Sequence, residues 1–379
     1  MAEFTKWVAC YGNAISYTDR KEATFGKNLT LRYPIKMVFD GDQLRFHFSN
    51  LTGKEDVRIT KAYADKTVIT FDGGGKEGVI PAGKEIVSDA IPMGVKAGET
   101  LQVSLYFKDY VELTAGTFIS GPCSGGQYAY GDYAGEEILP ADFTRNTNWY
   151  YFLSTIDVHT KEENRAVVCY GDSITAGSWP DYLMLRCERE GYKNVAIIRR
   201  AVSGTRVLRQ YDCITYQAYG LKGAIRFPIE SEVAGADTLI IQHGINDIIH
   251  PVGEEVNKFR PMSDLPTAKE LCEGIESLYV KPARELGYQV YSGTLLPIYG
   301  WRTYADFREE LKNEVNAWLR TADIFDGCID FDQAVRDAAD SKKFADGYDS
   351  GDHLHPSEKA YEAMAEAVPE GILGGKKTA

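Results

Sequence analysis

The chain has 379 residues, 44% of them hydrophobic, and a formal net charge of −13. That length suggests two domains, and the composition is that of a globular protein without low-complexity tracts. The acidic balance argues against nucleic acid as the main partner and against docking on anionic lipid, because both need a basic surface.

No apolar run approaches the roughly 20 residues of a membrane span. The first residues, "MAEFTKWVACYGNAISYTDRK", lack the basic start and apolar core of a secretory leader. The expectation is a cytoplasmic protein with no membrane partner, although a secreted chain trimmed of its leader would read the same way. Seven cysteines at irregular spacings include no C-x-x-C pair, so no zinc site is expected and reduced, buried thiols are.

Residues 1–158 read as β-structure. "LTLRYPIKMVF", "DQLRFHFSNL", "DVRITKAYA", "KEIVSDAI" and "LQVSLYF" alternate apolar and polar residues, the period of a strand with one wet face. Turn clusters such as "FDGGGKEG" and "IPAGKE" separate them. Many short strands at close spacing predict an antiparallel β-sandwich. Residues 120–148, rich in Gly and Tyr, show no period and read as a long loop. "WYYFLSTIDV" reads as one closing strand.

The pattern changes over residues 159–379. "AVVCYG", "NVAIIRR", "DTLIIQHG", "GYQVYSGTLLP" and "GCIDFD" are continuous apolar runs, as in strands covered on both faces. Helical stretches alternate with them, among them "TAKELCEGIESLYVKPARELG", "RTYADFREELKNEVNAWLRTA" and "PSEKAYEAMAEAV", the last with Pro356 in its first turn. Alternating strand and helix predict an α/β domain with a doubly wound parallel sheet, whose sites lie beyond the carboxyl ends of the strands.

Three short motifs stand at such ends, and a fourth stands just before a helix. Gly171-Asp172-Ser173 follows the first apolar run. Ser203-Gly204 follows the second, and Gly244-Ile245-Asn246-Asp247 the third. Asp352 and His355 precede the last helix. Each has a plain reading by itself: a helix cap, two turn glycines, a turn asparagine. Asp352, His353 and His355 could be taken for a metal cluster, but no third strong ligand is near, so no metal and no cofactor are expected.

Together and in this order the four blocks resemble the SGNH (GDSL) hydrolase family across the whole second half. "KWVACYGNAIS", "LRFHFSNLTGKEDVRI" and "WYYFLSTIDV" are similar to the N-terminal, jelly-roll-like β-domain of a two-domain subgroup, some of whose members look like acetylxylan esterases. The resemblance implies Ser173 as nucleophile, His355 as general base and Asp352 as its orienting partner. It implies an oxyanion hole from the backbone N–H groups of Ser173 and Gly204 and the carboxamide of Asn246. Family spacing favours His355 over His353 as the base.

The chemistry of these residue types agrees. A hydroxyl attacks well only when a base removes its proton, and imidazole suits that task near neutral pH. A carboxylate three residues earlier can turn back to the other ring nitrogen. An uncharged carboxamide suits a transient oxyanion.

Trp179, His243, Tyr299 and Trp301, with Tyr304, are candidates for a substrate rim, where aromatic faces would stack on sugar rings; core packing is the alternative for each. The leading expectation is a serine esterase that removes acetyl groups from plant-type, xylan-derived oligosaccharides. The alternatives are a broad carboxylesterase or lysophospholipase-like acylhydrolase, and a carbohydrate-binding protein with a vestigial hydrolase half. Assembly into a homo-oligomer is compatible with all three.

Overall fold

The computed structural model describes residues 4–17, 25–211 and 213–374. The chain divides into two compact units, residues 1–166 with 193–198, and residues 167–192 with 199–379. The boundary expected at 158/159 lies inside a long strand of the first unit, Leu153–Thr160.

The first unit is built from antiparallel sheets. Its main strands are β1 (Lys6–Gly12), β2 (Leu29–Lys36), β3 (Gly41–Ser49), β4 (Lys61–Ala64), β5 (Glu85–Val87), β6 (Thr100–Phe107), β7 (Gly126–Tyr130), β8 (Arg145–Thr147) and β9 (Leu153–Thr160). One sheet runs β1-β9-β3-β5, and another runs β8-β7-β2-β6-β4. Alternation places Leu44, Phe46 and Phe48 of β3 and Leu31, Tyr33 and Ile35 of β2 in the core.

Two expectations for this unit are corrected. The Gly- and Tyr-rich stretch is not one long loop, because β7 and β8 lie within it and β7 pairs with β2. This stretch covers the face of β2 that alternation marks as wet. Thr30 and Arg32 on that face are buried. The Arg32 guanidinium donates to the carbonyls of Tyr133, Glu136 and Glu137, and Thr30 donates to that of Gly131. Backbone carbonyls satisfy the buried polar groups, and a periodicity rule carries no record of that.

Nor is "WYYFLSTIDV" one strand. It breaks at Phe152, which has φ 65. On one side Trp149–Tyr151 pairs with Ala115–Phe118, and on the other β9 pairs with β3 and β1. Phe152 donates to Ala115 O at 3.0 Å and accepts from Ser49 N at 2.7 Å. One residue thus carries the chain from one sheet to another. A left-handed conformation in a bulky residue costs on the order of 1 kcal/mol or more. Burial of its ring against Phe107, with centroids 5.6 Å apart, offsets that cost.

The second unit is α/β, and the first residues of two of its strands, 165–166 and 195–198, fall to the first unit in that division. Its sheet contains β10 (Arg165–Gly171), β11 (Val195–Ala201), β12 (Ala236–Gln242), β13 (Gln289–Gly293) and β14 (Gly327–Ile329), in the order β11-β10-β12-β13-β14. β12 pairs in parallel with β13, and β13 with β14. All seven residues of β11 are buried, Arg199 and Arg200 among them.

The helices are α1 (Ser173–Ala176), α2 (Trp179–Glu190), α3 (Gly223–Glu230), α4 (Ile245–Ile249), α5 (Ala268–Ile275), α6 (Lys281–Glu285), α7 (Asp306–Thr321), α8 (Phe331–Val335), α9 (Glu358–Ala367) and α10 (Glu370–Leu373). Ser357 caps α9 by accepting from Ala360 N, so Pro356 lies just before the cap and not in the first turn. The run "TAKELCEGIESLYVKPARELG" is interrupted by a π-helical turn, Glu276–Val280. Pro282 has no N–H to continue the α-helical ladder, and the π turn absorbs the mismatch.

The strand order fixes where chemistry can collect. β11 and β12 flank β10, so the connections after β10 and β11 leave toward opposite sides. A crevice opens beyond the carboxyl ends at that switch point. Among the described residues no helix is long and apolar enough to cross a membrane.

Phe152→Ala removes the ring that anchors the crossover between sheets. The expected loss of stability is about 3–5 kcal/mol, read as a lower urea midpoint with an unchanged slope.

Candidate active site

Ser173 opens α1, directly after β10. The turn is tight because Gly171 has no side chain: a Cβ there would lie 2.3 Å from Gln242 O and 2.5 Å from Thr175 Oγ1. Asp172 caps α1 by accepting from Ile174 N at 3.1 Å. Its carboxyl is fully buried, and burial pushes it up to about 7. It is an anchor of the turn, not an acid open to substrate. At the far end, Gly177 leaves room for the ring of Tyr361, 2.3 Å from where a Cβ would stand.

Residues 349–355 bring the base to this serine. His355 Nε2 lies 2.8 Å from Ser173 Oγ, and its Nδ1 lies 2.6 Å from Asp352 Oδ2. The other oxygen of Asp352 accepts from the backbone N–H groups of Leu354 and His355 and from the Ser350 hydroxyl. Burial opposes ionisation of Asp352, but the bonds from the His355 ring and backbone prevail and hold the carboxyl below its ordinary value. Because the carboxylate only accepts, His355 Nδ1 carries the proton. Nε2 is then the acceptor that faces the serine hydroxyl. This arrangement can take the serine proton as the oxygen attacks a carbonyl.

His353 belongs to a separate pair. Its backbone N–H and its Nδ1 both bond Asp349, and its ring packs over Gly300. The structure therefore turns His355, and not His353, toward Ser173. Among the described residues no group of three or more His, Cys, Asp or Glu could hold a metal ion.

The segments after the strands flanking β10 carry Gly204 and Asn246. After β11, Val202 to Thr205 form a turn in which Thr205 N and Thr205 Oγ1 both donate to Val202 O. Gly204 takes the left-handed position of that turn at φ 80, and Tyr219 fills the space of a Cβ at 2.2 Å. After β12, Asn246 lies in α4 and is buried. Its Nδ2 donates to Thr205 O at 3.0 Å. A carboxamide nitrogen has two hydrogens, so one stays available to a ligand. Asp247 accepts from Val207 N and Leu208 N, and burial raises its carboxyl to about 6. It ties the loop after β11 to α4.

A buried cation braces the site from behind. Arg226 of α3 pairs with Glu230 at 2.6 Å. Its Nη1 donates to Gly171 O at 3.3 Å and to Thr205 Oγ1 at 3.0 Å. One guanidinium thus links the turn before Ser173 to the turn that holds Gly204. Sequence reading missed Thr205 and Arg226. The only signal for Arg226 was its i, i+4 spacing to Glu230, which is also the spacing of an ordinary surface pair.

The rim candidates divide. Trp179 has no exposed surface and packs on Phe331 with ring centroids 5.1 Å apart. It is a core residue, and no sugar ring can stack on it. His243 is buried as well, bonded to Thr205 and Tyr279, so it does not line an open pocket. Trp301 stands edge-to-face with His355, centroids 6.5 Å apart, and Tyr299 is 45% exposed with Tyr304 against its ring. These three share one loop after β13. The segment after α4 exposes Val256, Phe259 and Met262. Its root is held by Arg260 and Arg308, which donate to carbonyls of residues 248–251.

A family model described as the GDSL-like Lipase/Acylhydrolase family matches residues 169–363. Among solved structures, the chain is similar to a GDSL-like lipase from Bacteroides thetaiotaomicron, at 19% identity over 55% of this chain and 87% of that one, with a TM-score of 0.38. It is similar to the lipase/acylhydrolase from Enterococcus faecalis, at 19% identity over 57% and 99%, with a TM-score of 0.37. It is also similar to an acetylxylan esterase from Geobacillus stearothermophilus, at 15% identity over 57% and 99%, with a TM-score of 0.40. No curated protein matches the chain.

Asn246→Ala removes one donor and leaves the relay intact. The expected result is a fall in kcat of about 10²–10³ with little change in KM, measured on a nitrophenyl ester. Asp352 keeps its charge below the ordinary carboxylate range, and its contribution to stability is lost only as pH falls through that depressed value. Within the ordinary carboxylate range, protonation of Asp352 is therefore expected to add no second step to the acid limb of kcat/KM; a limb with a slope of two there would contradict this.

Proposed function

The chain belongs to the GDSL-like lipase/acylhydrolase family, and from that premise we propose a serine esterase that removes short acyl groups, acetyl above all, from plant-type oligosaccharides. The observation that carries the reading is the continuous path from Asp352 through His355 to Ser173, with contacts of 2.6 and 2.8 Å.

In this reading His355 Nε2 takes the serine proton while Oγ attacks the ester carbonyl. The oxyanion that forms is met by the N–H groups of Ser173 and Gly204 and the free N–H of Asn246. The imidazolium, stabilised by Asp352, returns the proton to the departing sugar oxygen, and the C–O bond breaks. Water, deprotonated by the same imidazole, then attacks the acyl-serine and frees the acid and the serine hydroxyl. A hydrolase half retained only for binding would have no use for a hydroxyl aligned on a carboxylate-bound imidazole.

The sugar is supported by chemistry at the rim. Trp301 beside the base and the half-exposed Tyr299 are rings of the kind that stack on pyranose, each with a cation, Arg302 and Lys343, over one face. One observation favours the second reading, a broader acylhydrolase. The exposed Val256, Phe259 and Met262 on the segment after α4 could cover a longer acyl chain.

Deacetylation of defined acetylated xylo- and manno-oligosaccharides, followed by mass spectrometry, tests the proposal. The expected result is loss of acetyl groups by the parent chain and none by Ser173→Ala. A nitrophenyl ester series that peaks at octanoate or longer, with no sugar deacetylation, would replace the first reading with the second.

A further inference from the structure

Behind the catalytic edge lies a polar chain that the mechanism above does not use. His243 and Tyr279 are both buried, their rings nearly parallel at 13° with centroids 5.9 Å apart. Tyr170 and Phe227 pack around them. An aromatic cluster of this kind could be made from Phe and Leu alone. Burying an imidazole and a phenol costs free energy unless each finds partners.

Both find them. His243 Nε2 lies 3.1 Å from both Thr205 O and Thr205 Oγ1, and its Nδ1 lies 3.0 Å from Tyr279 Oη. A carbonyl oxygen only accepts, so Nε2 carries the proton. Nδ1 is then the acceptor, and the Tyr279 hydroxyl donates to it. The chain has one direction, from phenol through imidazole to the Thr205 carbonyl. Burial, and then the nearby Arg226, push the His243 imidazole down to about 3, so it stays neutral and the direction does not reverse.

The backbone makes room for this chain. A Cβ on Gly223 would lie 1.6 Å from Tyr279 Oη. Tyr279 itself sits in the π turn, Glu276–Val280. The Thr205 carbonyl at the end of the chain has a second donor, Asn246 Nδ2 at 3.0 Å.

We propose that Tyr279 and His243 are positioning residues of the oxyanion-binding donors, acting through Thr205 O on the Asn246 carboxamide and the Gly204 turn. The inference rests on the esterase reading above. The terminal torsion of an asparagine is broad, so the amide has no strong preference of its own. Its first N–H follows Thr205 O, and its second N–H then points where the first allows. His243 fixes Thr205 O by occupying its other lone pair. A donor held before reaction need not reorganise as charge develops.

Tyr279→Phe removes only a hydroxyl. The expected effect on nitrophenyl acetate is a fall in kcat of roughly tenfold, with KM within about twofold of the parent. Because the residue acts on the donor that N246A removes, the double variant Y279F/N246A should lose less than the product of the two single losses. As a second probe, His243→Gln keeps a donor for Thr205 O and should retain more kcat than His243→Leu. Parent-like kcat in Tyr279→Phe, losses that multiply in full in the double variant, or equal activity of the two His243 variants would each overturn the inference. Activity that survives Ser173→Ala would sink the esterase reading itself. Activity that needs Ser173 but ignores Tyr279→Phe sinks this inference alone.

Discussion

The hydrogen bond between Ser173 and His355 joins residues 182 positions apart in the chain, at 2.8 Å. A serine hydroxyl is inert toward esters until a base stands within reach of its proton. The second unit can be understood as the set of constraints that bring these two atoms together. β10 ends at Gly171 because only a glycine lets the turn pass Gln242 O, and α1 begins at once, so the hydroxyl stands at the rim. The 349–355 segment approaches from the other end of the chain, and Asp352 binds its backbone as well as its imidazole. The carboxylate is thus both the electrostatic partner of the base and the staple of the loop that carries it.

Holding atoms at the edge of a sheet is a problem of leverage, and the answer lies behind the edge. Arg226 reaches Gly171 O and Thr205 Oγ1 from one guanidinium, while Asp247 binds two amides of the loop after β11. Buried ion pairs such as Arg226–Glu230 add little net stability, because desolvation cancels much of the attraction. They do fix geometry, since a buried guanidinium with every partner placed has no alternative arrangement. The polar groups beneath the site are better understood as a template for position than as a source of fold stability.

What could be read in the sequence follows the range of the interactions involved. The relay and the donor loops were legible because each needs a particular residue type at a strand end: Gly171 for the turn, Gly204 for its positive φ, Asn246 for an uncharged donor. Alternating and unbroken apolar runs separated the two sheet types because periodicity is local. The errors arose where a distant partner decided the outcome. β7 looked irregular, yet β2 and Arg32 organise it. Phe152 breaks a strand because two sheets claim its amide and carbonyl. Trp179, the first residue of α2 and close in sequence to Ser173, points into the core against Phe331. Thr205 and Tyr279 carried no signal at all, since nothing in a threonine or a tyrosine shows which carbonyl or imidazole it will meet.

His243 and His355 make the final point about environment. Both belong to the second unit, and in each both ring nitrogens meet polar partners. His355 has about a third of its side chain in solvent and a carboxylate on Nδ1. A positive charge on its ring is therefore stabilised in place, as a base requires when it receives a proton. His243 is buried with a phenol on Nδ1, a carbonyl on Nε2 and Arg226 nearby, so a positive charge has no compensation. The first ring can change protonation state during a reaction; the second holds one tautomer and one direction of hydrogen bonding. The same side chain thus provides a movable proton at the surface and a fixed orientation beneath it, and the difference lies in burial, in the nearby guanidinium and in whether a carboxylate or a phenol stands at Nδ1.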